Sequence, residues 1–260
     1  MQRRAALMAL AAAPLGLQAQ APASRALHAP WTALLRQHVR LLRGGQASQL
    51  DYRGLAAQRP ALQAYLASLS AVSAAQFQAW PRDTQMAFWI NAYNAFTAEL
   101  ILTRYPRLAS IKELGSLLRS PWQRAWVPLL GATLSLDDIE HERLRPVFKD
   151  ARIHFAVNCA SVGCPMLREE AYEGERLQAQ LDAQAERFLR DRSRNRVEGG
   201  VLRVSKIFDW FEGDFTPSLR TWLAQRASLL SEQPAEQAAI AAERLQVRFL
   251  DYDWQINDAR

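Results

Sequence analysis

Lysine, cysteine and long apolar runs are all scarce in this sequence of 260 residues. Two cysteines allow at most one internal disulfide, which excludes the framework of a small disulfide-rich domain. The basic charge is almost all arginine, and acidic residues are mixed among the arginines throughout the chain. No basic run is interleaved with aromatic residues, so a nucleic-acid-binding surface is not expected although the net charge is +6.

The apolar run near the N-terminus is too short to cross a bilayer. Arg3 and Arg4 precede the segment AALMALAAAPLGL, and small alanines follow it. A short basic region, an apolar core and small residues at a cleavage site are typical of a secretory signal peptide. We therefore predict a signal peptide over residues 1–21 and a periplasmic or secreted mature protein over residues 22–260. No later stretch is long and apolar enough to span a membrane.

The first half of the mature sequence predicts helices. Apolar residues at helical spacing predict a helix from Trp31 that stops at Gly44, and a second one around residues 61–69. The stretch TQMAFWINAYNAFTAELILTRY is apolar on nearly all sides, with Asp83 before it as the predicted cap. A helix without a polar face is buried, so this one is the predicted central helix of the domain.

The second half mixes strands and helices. WVPLLGATLSL predicts a hairpin, and Ser135 with Asp138 resembles a capping box that opens the helix LDDIEHERLR, ended by Pro146. RIHFAVN, VLRVSKIF and VRFLDYDW are predicted strands, and helical stretches lie between them. The sequence thus predicts a single α+β domain in which the buried central helix packs on a small mixed or antiparallel sheet.

Several of these stretches together resemble the domain-of-unknown-function 547 (DUF547) family. The stretches are FWINAYNAFT, LDDIEHERLR, RIHFAVNCASVGCPMLREEAY, SKIFDWF and the closing YDW. The resemblance extends over roughly residues 80–255 and is specific in the combination of motifs. It implies that the Asn-Tyr-Asn helix, Glu140-His141 and the stretch from His154 to Pro165 belong together, and it implies no activity.

The two cysteines, Cys159 and Cys164, admit three interpretations. In an exported chain, close spacing favours a disulfide, and Gly163 and Pro165 help the loop reverse so that the Cα atoms approach within about 7 Å. Closing so small a loop lowers the conformational entropy of the unfolded chain only slightly, which stabilises the folded state by about 2 kcal/mol. Such a disulfide would fix the local shape of the loop or be redox-active.

The second interpretation is a thiol nucleophile, which needs a base and an orienting group. His154 is close in sequence to Cys159 but would be separated from it along an extended strand. His141 lies on another element, and Glu140, or Asn91 and Asn94 from the buried helix, could complete a Cys-His-Glu or Cys-His-Asn set. The third interpretation, a zinc site made by both cysteines and both histidines, matches no zinc-finger spacing and requires free thiolates.

Asn91 and Asn94 lie three residues apart, so their amides share one face of the buried helix. An unsatisfied buried amide costs on the order of 1–3 kcal/mol. Each amide therefore needs a partner, which is either nearby loop backbone, including the cysteine loop, or a substrate carbonyl.

These residues predict a cleft between the central helix, the Glu140-His141 helix and the cysteine loop. The candidate catalytic residues are Cys159, His141, His154, Glu140 and Asn91. The candidate binding residues are Asn94, Tyr93, Cys164, Arg168 and Lys206.

The sequence leaves two hypotheses for the function. One is a thiol-dependent hydrolase or acyl transferase, and the alternative is a non-catalytic periplasmic domain that binds a ligand or partner, with a structural disulfide. We predict no cofactor and no metal, and the sequence identifies neither the small-molecule or peptide ligand nor the oligomeric state.

Overall fold

The structure is a computed structural model that describes residues 17–115 and 120–259. Most of the predicted signal peptide, residues 1–16, lies outside the described residues. In chain order the elements are α1 (Leu17–His38), β1 (Val39–Leu42), β2 (Ala47–Leu50), α2 (Tyr52–Ala57), α3 (Arg59–Ser70), α4 (Ala74–Gln78), α5 (Arg82–Leu102), β3 (Val127–Leu129), β4 (Ala132–Leu134), a π-helical segment (Asp138–Leu144), α6 (Arg145–Phe148), α7 (Ile153–Ala156), α8 (Leu177–Arg190), β5 (Arg196–Glu198), β6 (Val201–Val204), α9 (Ile207–Trp210), α10 (Leu219–Ala224), α11 (Ala227–Leu230), α12 (Pro234–Ala241) and β7 (Gln246–Phe249). The prediction of a single α+β domain is confirmed.

Helix α5 is the buried central helix that its composition predicted. Its side chains are buried almost without interruption from Met86 to Leu102. The cap differs from the prediction, because the residue before the helix is Pro81 and Asp83 lies inside the first turn. There the Asp83 carboxylate faces the positive end of the helix dipole and accepts hydrogen bonds from Gln178 Nε2 at 3.1 Å.

The strands form three small sheets instead of one. β1 pairs with β2 and β3 with β4, both antiparallel, while β6 pairs antiparallel with β5 and parallel with β7. The segment VRLL, predicted as the end of the first helix, is strand β1, since Gly44 and Gly45 reverse the chain and allow it to pair with β2. Helix α5 packs mainly on α3, the π-helical segment and the short helical turn at Gly174–Arg176.

Helix α7 lies where two hydrophobic cores meet. Ile153 and Ala156 belong to the core around α5, whereas Phe155 belongs to a second core with Phe188 and Phe208. The strand prediction for RIHFAVN is therefore wrong. Its β-branched and aromatic residues are buried in succession between the two cores, so tertiary packing overrides the strand preference.

The helix that opens at Ser135 continues past Pro146. The capping box is present, because Ser135 N–H donates to Asp138 Oδ2 at 2.7 Å and Asp138 N–H donates to Ser135 Oγ at 3.0 Å. Pro146 lies in the first turn of α6, which follows the π-helical segment directly, so the prediction that it ends the helix is wrong. The helix stops at Lys149, which has a φ of 52°.

Candidate active site

A cavity of about 230 Å³ lies between α5, the π-helical segment, α7, α9, the cysteine loop and the C-terminal segment. Six of the predicted site residues line it, although they come from distant parts of the sequence. These six are Tyr93, Glu140, His141, His154, Cys159 and Cys164. The buried helix, the Glu140-His141 segment and the cysteine loop therefore do meet at one place.

The two asparagines of α5 bond to backbone behind the cavity. Asn91 bonds to both backbone groups of Tyr172. Its Nδ2 donates to the Tyr172 carbonyl at 2.8 Å, and its Oδ1 accepts from the Tyr172 N–H at 2.9 Å. Asn94 donates to the carbonyl of Ala156 at 2.9 Å and accepts from the N–H of Asn158 at 2.8 Å. Asn94 thereby fixes the chain between α7 and the cysteine loop, which positions His154 and Cys159 relative to the central helix.

Two other predicted binding residues lie away from this cavity. Arg168 is buried and donates to Glu170 Oε1 at 2.8 Å, which makes it part of an ion-pair cluster with Arg176 in the segment before α8. Lys206 is partly exposed and pairs with Asp209 at 2.6 Å. Neither side chain lines the cavity.

The two sulfurs form a disulfide whose surroundings are asymmetric. Cys159 and Cys164 are bonded, with their Cα atoms 6.1 Å apart. The Tyr252 hydroxyl lies 3.1 Å from each sulfur, and the Cys159 N–H donates to Cys164 Sγ at 2.8 Å. Cys159 is partly exposed while Cys164 is buried. The zinc interpretation finds no support, because bonded sulfurs are not thiolate ligands.

His154 is held by a carboxylate on one ring nitrogen and is unpartnered on the other. Its Nε2 lies 2.7 Å from Asp214 Oδ2, and its ring stacks on Phe211 with centroids 4.0 Å apart. Its buried Nδ1 has no hydrogen-bond partner among the described residues, and Glu140 Oε1 lies 4.0 Å away. Because the carboxylate accepts the Nε2 proton, the Nδ1 lone pair of the neutral ring is available.

Asp214 is the link between the two histidines. It accepts hydrogen bonds from Arg145 at 2.7 and 3.2 Å as well as from His154. Hydrogen bonds from His154 and Arg145 outweigh its burial and hold the pKa of Asp214 below the ordinary range. The carboxylate is therefore ionised near neutral pH and orients the His154 ring.

His141 connects this network to a second carboxylate at the cavity. Arg145 Nη1 donates to His141 Nδ1 at 3.1 Å, which leaves the proton of the neutral ring on Nε2. That Nε2 lies 3.9 Å from Asp137 Oδ1. Burial raises the pKa of Asp137; His141 opposes this shift, and the neighbouring Glu140 and Asp138 carboxylates add to it.

Sequence reasoning missed several residues of this site. Asp214 had no local signal, since its contact with His154 spans 60 residues of chain. The aromatic residues of the cavity do have a local sequence signal. Trp210 lies in the SKIFDWF stretch, and Tyr252 and Trp254 lie in the YDW stretch, both of which resemble the DUF547 motifs. Among the described residues, neither His141 nor His154 forms a hydrogen bond with a sulfur. The group that contacts both sulfurs is the Tyr252 hydroxyl.

Comparison with known proteins gives one match. A family model described as "Protein of unknown function, DUF547" matches residues 77–189, which include Tyr93, Glu140, His154 and both cysteines. No curated protein and no solved structure matches the chain. Within the described residues, none of the helices has the length and apolarity needed to cross a membrane. Over residues 77–189 the chain therefore matches the DUF547 family, as its sequence motifs predicted.

Proposed function

We propose that this protein is an exported thiol-dependent hydrolase or acyl transferase, active when its disulfide is reduced. The observation that carries the proposal is the arrangement of His154. Asp214 holds one of its ring nitrogens, while the other is buried and unpartnered, and the residue lines the same cavity as Cys159. A histidine oriented by a carboxylate beside a cysteine is the arrangement that activates a thiol.

The chemistry begins with reduction of the Cys159–Cys164 disulfide by a dithiol, which supplies two electrons and two protons. His154 Nδ1 then accepts the proton of the Cys159 thiol, and the thiolate attacks the carbonyl carbon of a bound acyl compound. The imidazolium returns the proton to the leaving group, which leaves a thioester on Cys159. Water or an acceptor nucleophile resolves the thioester while His154 again accepts the proton.

Charges around His154 favour the protonated ring that forms during this cycle. Asp214 is ionised and hydrogen-bonded to Nε2, and the Glu140 carboxylate lies 4.0 Å from Nδ1. Both carboxylates stabilise positive charge on the imidazole at the step where the thiol loses its proton. In the proposed mechanism Asp214 orients His154, and Glu140 contributes electrostatic stabilisation.

The test uses a generic acyl ester, p-nitrophenyl acetate, with the protein before and after treatment with dithiothreitol. Ester hydrolysis should appear only after reduction in the wild type and should be absent from Cys159→Ser. His154→Ala should lower it by about 100-fold or more, since general acid–base catalysis contributes that much. Asp214→Asn should lower it in the same direction.

Cys164→Ser is the matched control, because it leaves Cys159 as a free thiol that needs no reduction. This variant should hydrolyse the ester without dithiothreitol. Equal hydrolysis by wild type and Cys159→Ser after reduction would contradict the proposal.

A second candidate is a non-catalytic domain that binds a ligand or partner, with the disulfide as a structural bond. The observation that favours it is the Tyr252 hydroxyl at both sulfurs, where the thiol mechanism places a histidine. On this proposal, Cys159→Ser and Cys164→Ser lower the free energy of unfolding equally, and neither cysteine variant affects ligand binding beyond that loss of stability.

A further inference from the structure

We propose that the cavity binds a primary ammonium group, held between an aromatic wall and the carboxylates of Asp137 and Glu140. A primary amine would then be the substrate class of the proposed enzyme. The inference rests on the proposed function in one respect, namely that this cavity is the place where the substrate binds. Binding itself does not require a free thiol.

The aromatic wall consists of Trp122, Trp210, Tyr252 and Trp254, all of which line the cavity. The Tyr252 and Trp254 ring centroids are 4.5 Å apart, and Trp210 lies 4.8 Å from Tyr252 and 5.5 Å from Trp254. Trp210 is 44 % exposed, an unusual state for so large an apolar side chain. Aromatic ring faces carry partial negative charge and attract ammonium groups.

The Asp137 and Glu140 carboxylates line the same cavity as this wall, and neither has an arginine or lysine partner among the described residues there. Their nearest basic groups are histidine ring nitrogens, at 3.9 Å from Asp137 and 4.0 Å from Glu140. The negative charge of this pair is therefore only weakly compensated within the cavity.

One neighbouring group responds to this negative charge. Tyr93, at the cavity, has its pKa raised by burial and further by the Glu140 and Asp137 carboxylates.

The aromatic wall already binds an ammonium group, since the Lys112 ammonium lies 3.6 Å from the centre of the Trp254 ring. Lys112 does not line the cavity, so it does not neutralise the Asp137 and Glu140 carboxylates there.

The hydrogen-bonding groups favour a primary ammonium over a quaternary one. A primary ammonium has three N–H donors, and the cavity offers the Asp137 and Glu140 carboxylates as acceptors. A quaternary ammonium has no N–H donor for these carboxylates. A lysine side chain and a peptide N-terminus share this chemistry.

Binding is tested on the oxidised protein near pH 7.5 with four small probes. n-Butylammonium represents a lysine side chain and glycinamide a peptide N-terminus, while 1-butanol is the uncharged control and tetramethylammonium lacks N–H donors. NMR of the tryptophan indole N–H groups measures affinity at Trp210 and Trp254, and the buried Trp31, which does not line the cavity, serves as the internal reference. At least one primary ammonium should bind about tenfold or more tightly than 1-butanol and more tightly than tetramethylammonium. The stronger of the two primary probes identifies the source.

Two isosteric variants remove the charge without changing the shape of the cavity. Glu140→Gln and Asp137→Asn should each weaken binding of the primary ammonium by about tenfold, since hydrogen bonds to charged groups are the strong ones. Glu142→Gln is the matched control, because Glu142 lies on the same π-helical segment but is exposed. An unchanged Trp31 signal shows that each variant is folded.

The ammonium proposal is overturned if 1-butanol binds as tightly as both primary probes, or if both carboxylate variants bind them like the wild type. Because the thiol is not available in the oxidised protein, these results are independent of ester hydrolysis. Binding without hydrolysis after reduction would contradict the proposed function alone, and hydrolysis without selective binding would contradict the ammonium proposal alone.

Discussion

At the scale of single residues, the two sulfurs differ in access and in their hydrogen-bond donors. Cys164 is buried beneath the Tyr252 hydroxyl and the Cys159 N–H, while Cys159 is partly exposed at the cavity. Both cysteines line the cavity, but Cys159 is the more exposed of the two, so we expect a reagent or substrate to reach its thiol first after reduction. The structure thus assigns the accessible position to the cysteine that was predicted as nucleophile.

Alkylation after mild reduction measures this difference. Iodoacetamide should label Cys159 before Cys164, and peptide mass spectrometry over a time course gives the two rates. If a histidine stabilises the Cys159 thiolate, His154→Ala or His141→Ala slows the labelling near neutral pH, since only the thiolate reacts. Resistance to mild reduction, or labelling that is indifferent to both histidines, would instead indicate a structural disulfide.

Acid stability should depend on Asp214. Its pKa is lowered in the folded protein, so it contributes stability at pH values above the ordinary aspartate pKa of about 3.9. That contribution is lost as the pH falls below the ordinary value toward the lowered one. Asp214→Asn should therefore lower the melting temperature at pH 7 and make it less dependent on pH below about 4.

The control for this prediction is Asp209→Asn, which removes a partly exposed pair with Lys206. Surface pairs contribute about 0–1 kcal/mol, so its melting temperature should stay near that of the wild type across the same pH range. A parallel loss in the two variants would show that Asp214 has no special role.

Residue identity alone predicted part of this network. Cysteine, histidine and buried asparagine were recognisable because few chemical roles require them. Asp137 and Asp214 were not recognisable as site residues from the sequence. Acidic residues are common on any surface, and only the fold shows which of them are near a histidine. The amides of Asn91 and Asn94 had two open roles, and their backbone partners favour the structural one.

At the scale of elements, Asn94 connects α5 to the segment that carries His154 and Cys159. Asn94→Leu keeps the volume but leaves the Ala156 carbonyl and the Asn158 N–H without their partner. We expect a loss of roughly 2–4 kcal/mol in the free energy of unfolding, measured by urea denaturation, because two buried backbone groups are left unsatisfied.

Thr97→Val is the matched control on the same helix. Thr97 is also buried, but its Oγ1 has no hydrogen-bond partner among the described residues. This variant should be neutral or stabilising. If the two substitutions destabilise the protein equally, the backbone hydrogen bonds of Asn94 are not what fixes the loop.

Elements with a strong local signal were the predictable ones. The apolar run of α5, the hairpin at Gly131 and the capping box at Ser135 each follow from residues that are neighbours in the sequence. The helix α7 was mistaken for a strand because its burial comes from two cores built by distant segments. Local pattern carries no information about such packing.

At the scale of the whole molecule, export remains a prediction that a mass measurement can test. The basic pair, short apolar core and following alanines predict that the protein from its native host lacks about twenty N-terminal residues. Intact-mass spectrometry of the purified protein measures this directly. Full-length chain recovered from the cytoplasm would contradict export and would favour the reduced thiols there.

The α+β class followed from the mixture of helix and strand patterns along the chain. The division into three small sheets and two cores did not, because strand pairing depends on contacts between segments that no local pattern specifies. Residues of the stretches that resemble DUF547 line one cavity, while their role in a functional site stays a prediction.

That cavity takes its walls from distant places in the sequence, among them Tyr93, Glu140, His154, Trp210 and Tyr252. An unfolded chain cannot hold these groups together, so a compound that fits the cavity binds the native state alone. By mass action, such a compound at 100 times its dissociation constant adds about 2.7 kcal/mol to the free energy of unfolding. Thermal melting in the presence of metabolite libraries can therefore identify the natural ligand without any assumption about the reaction.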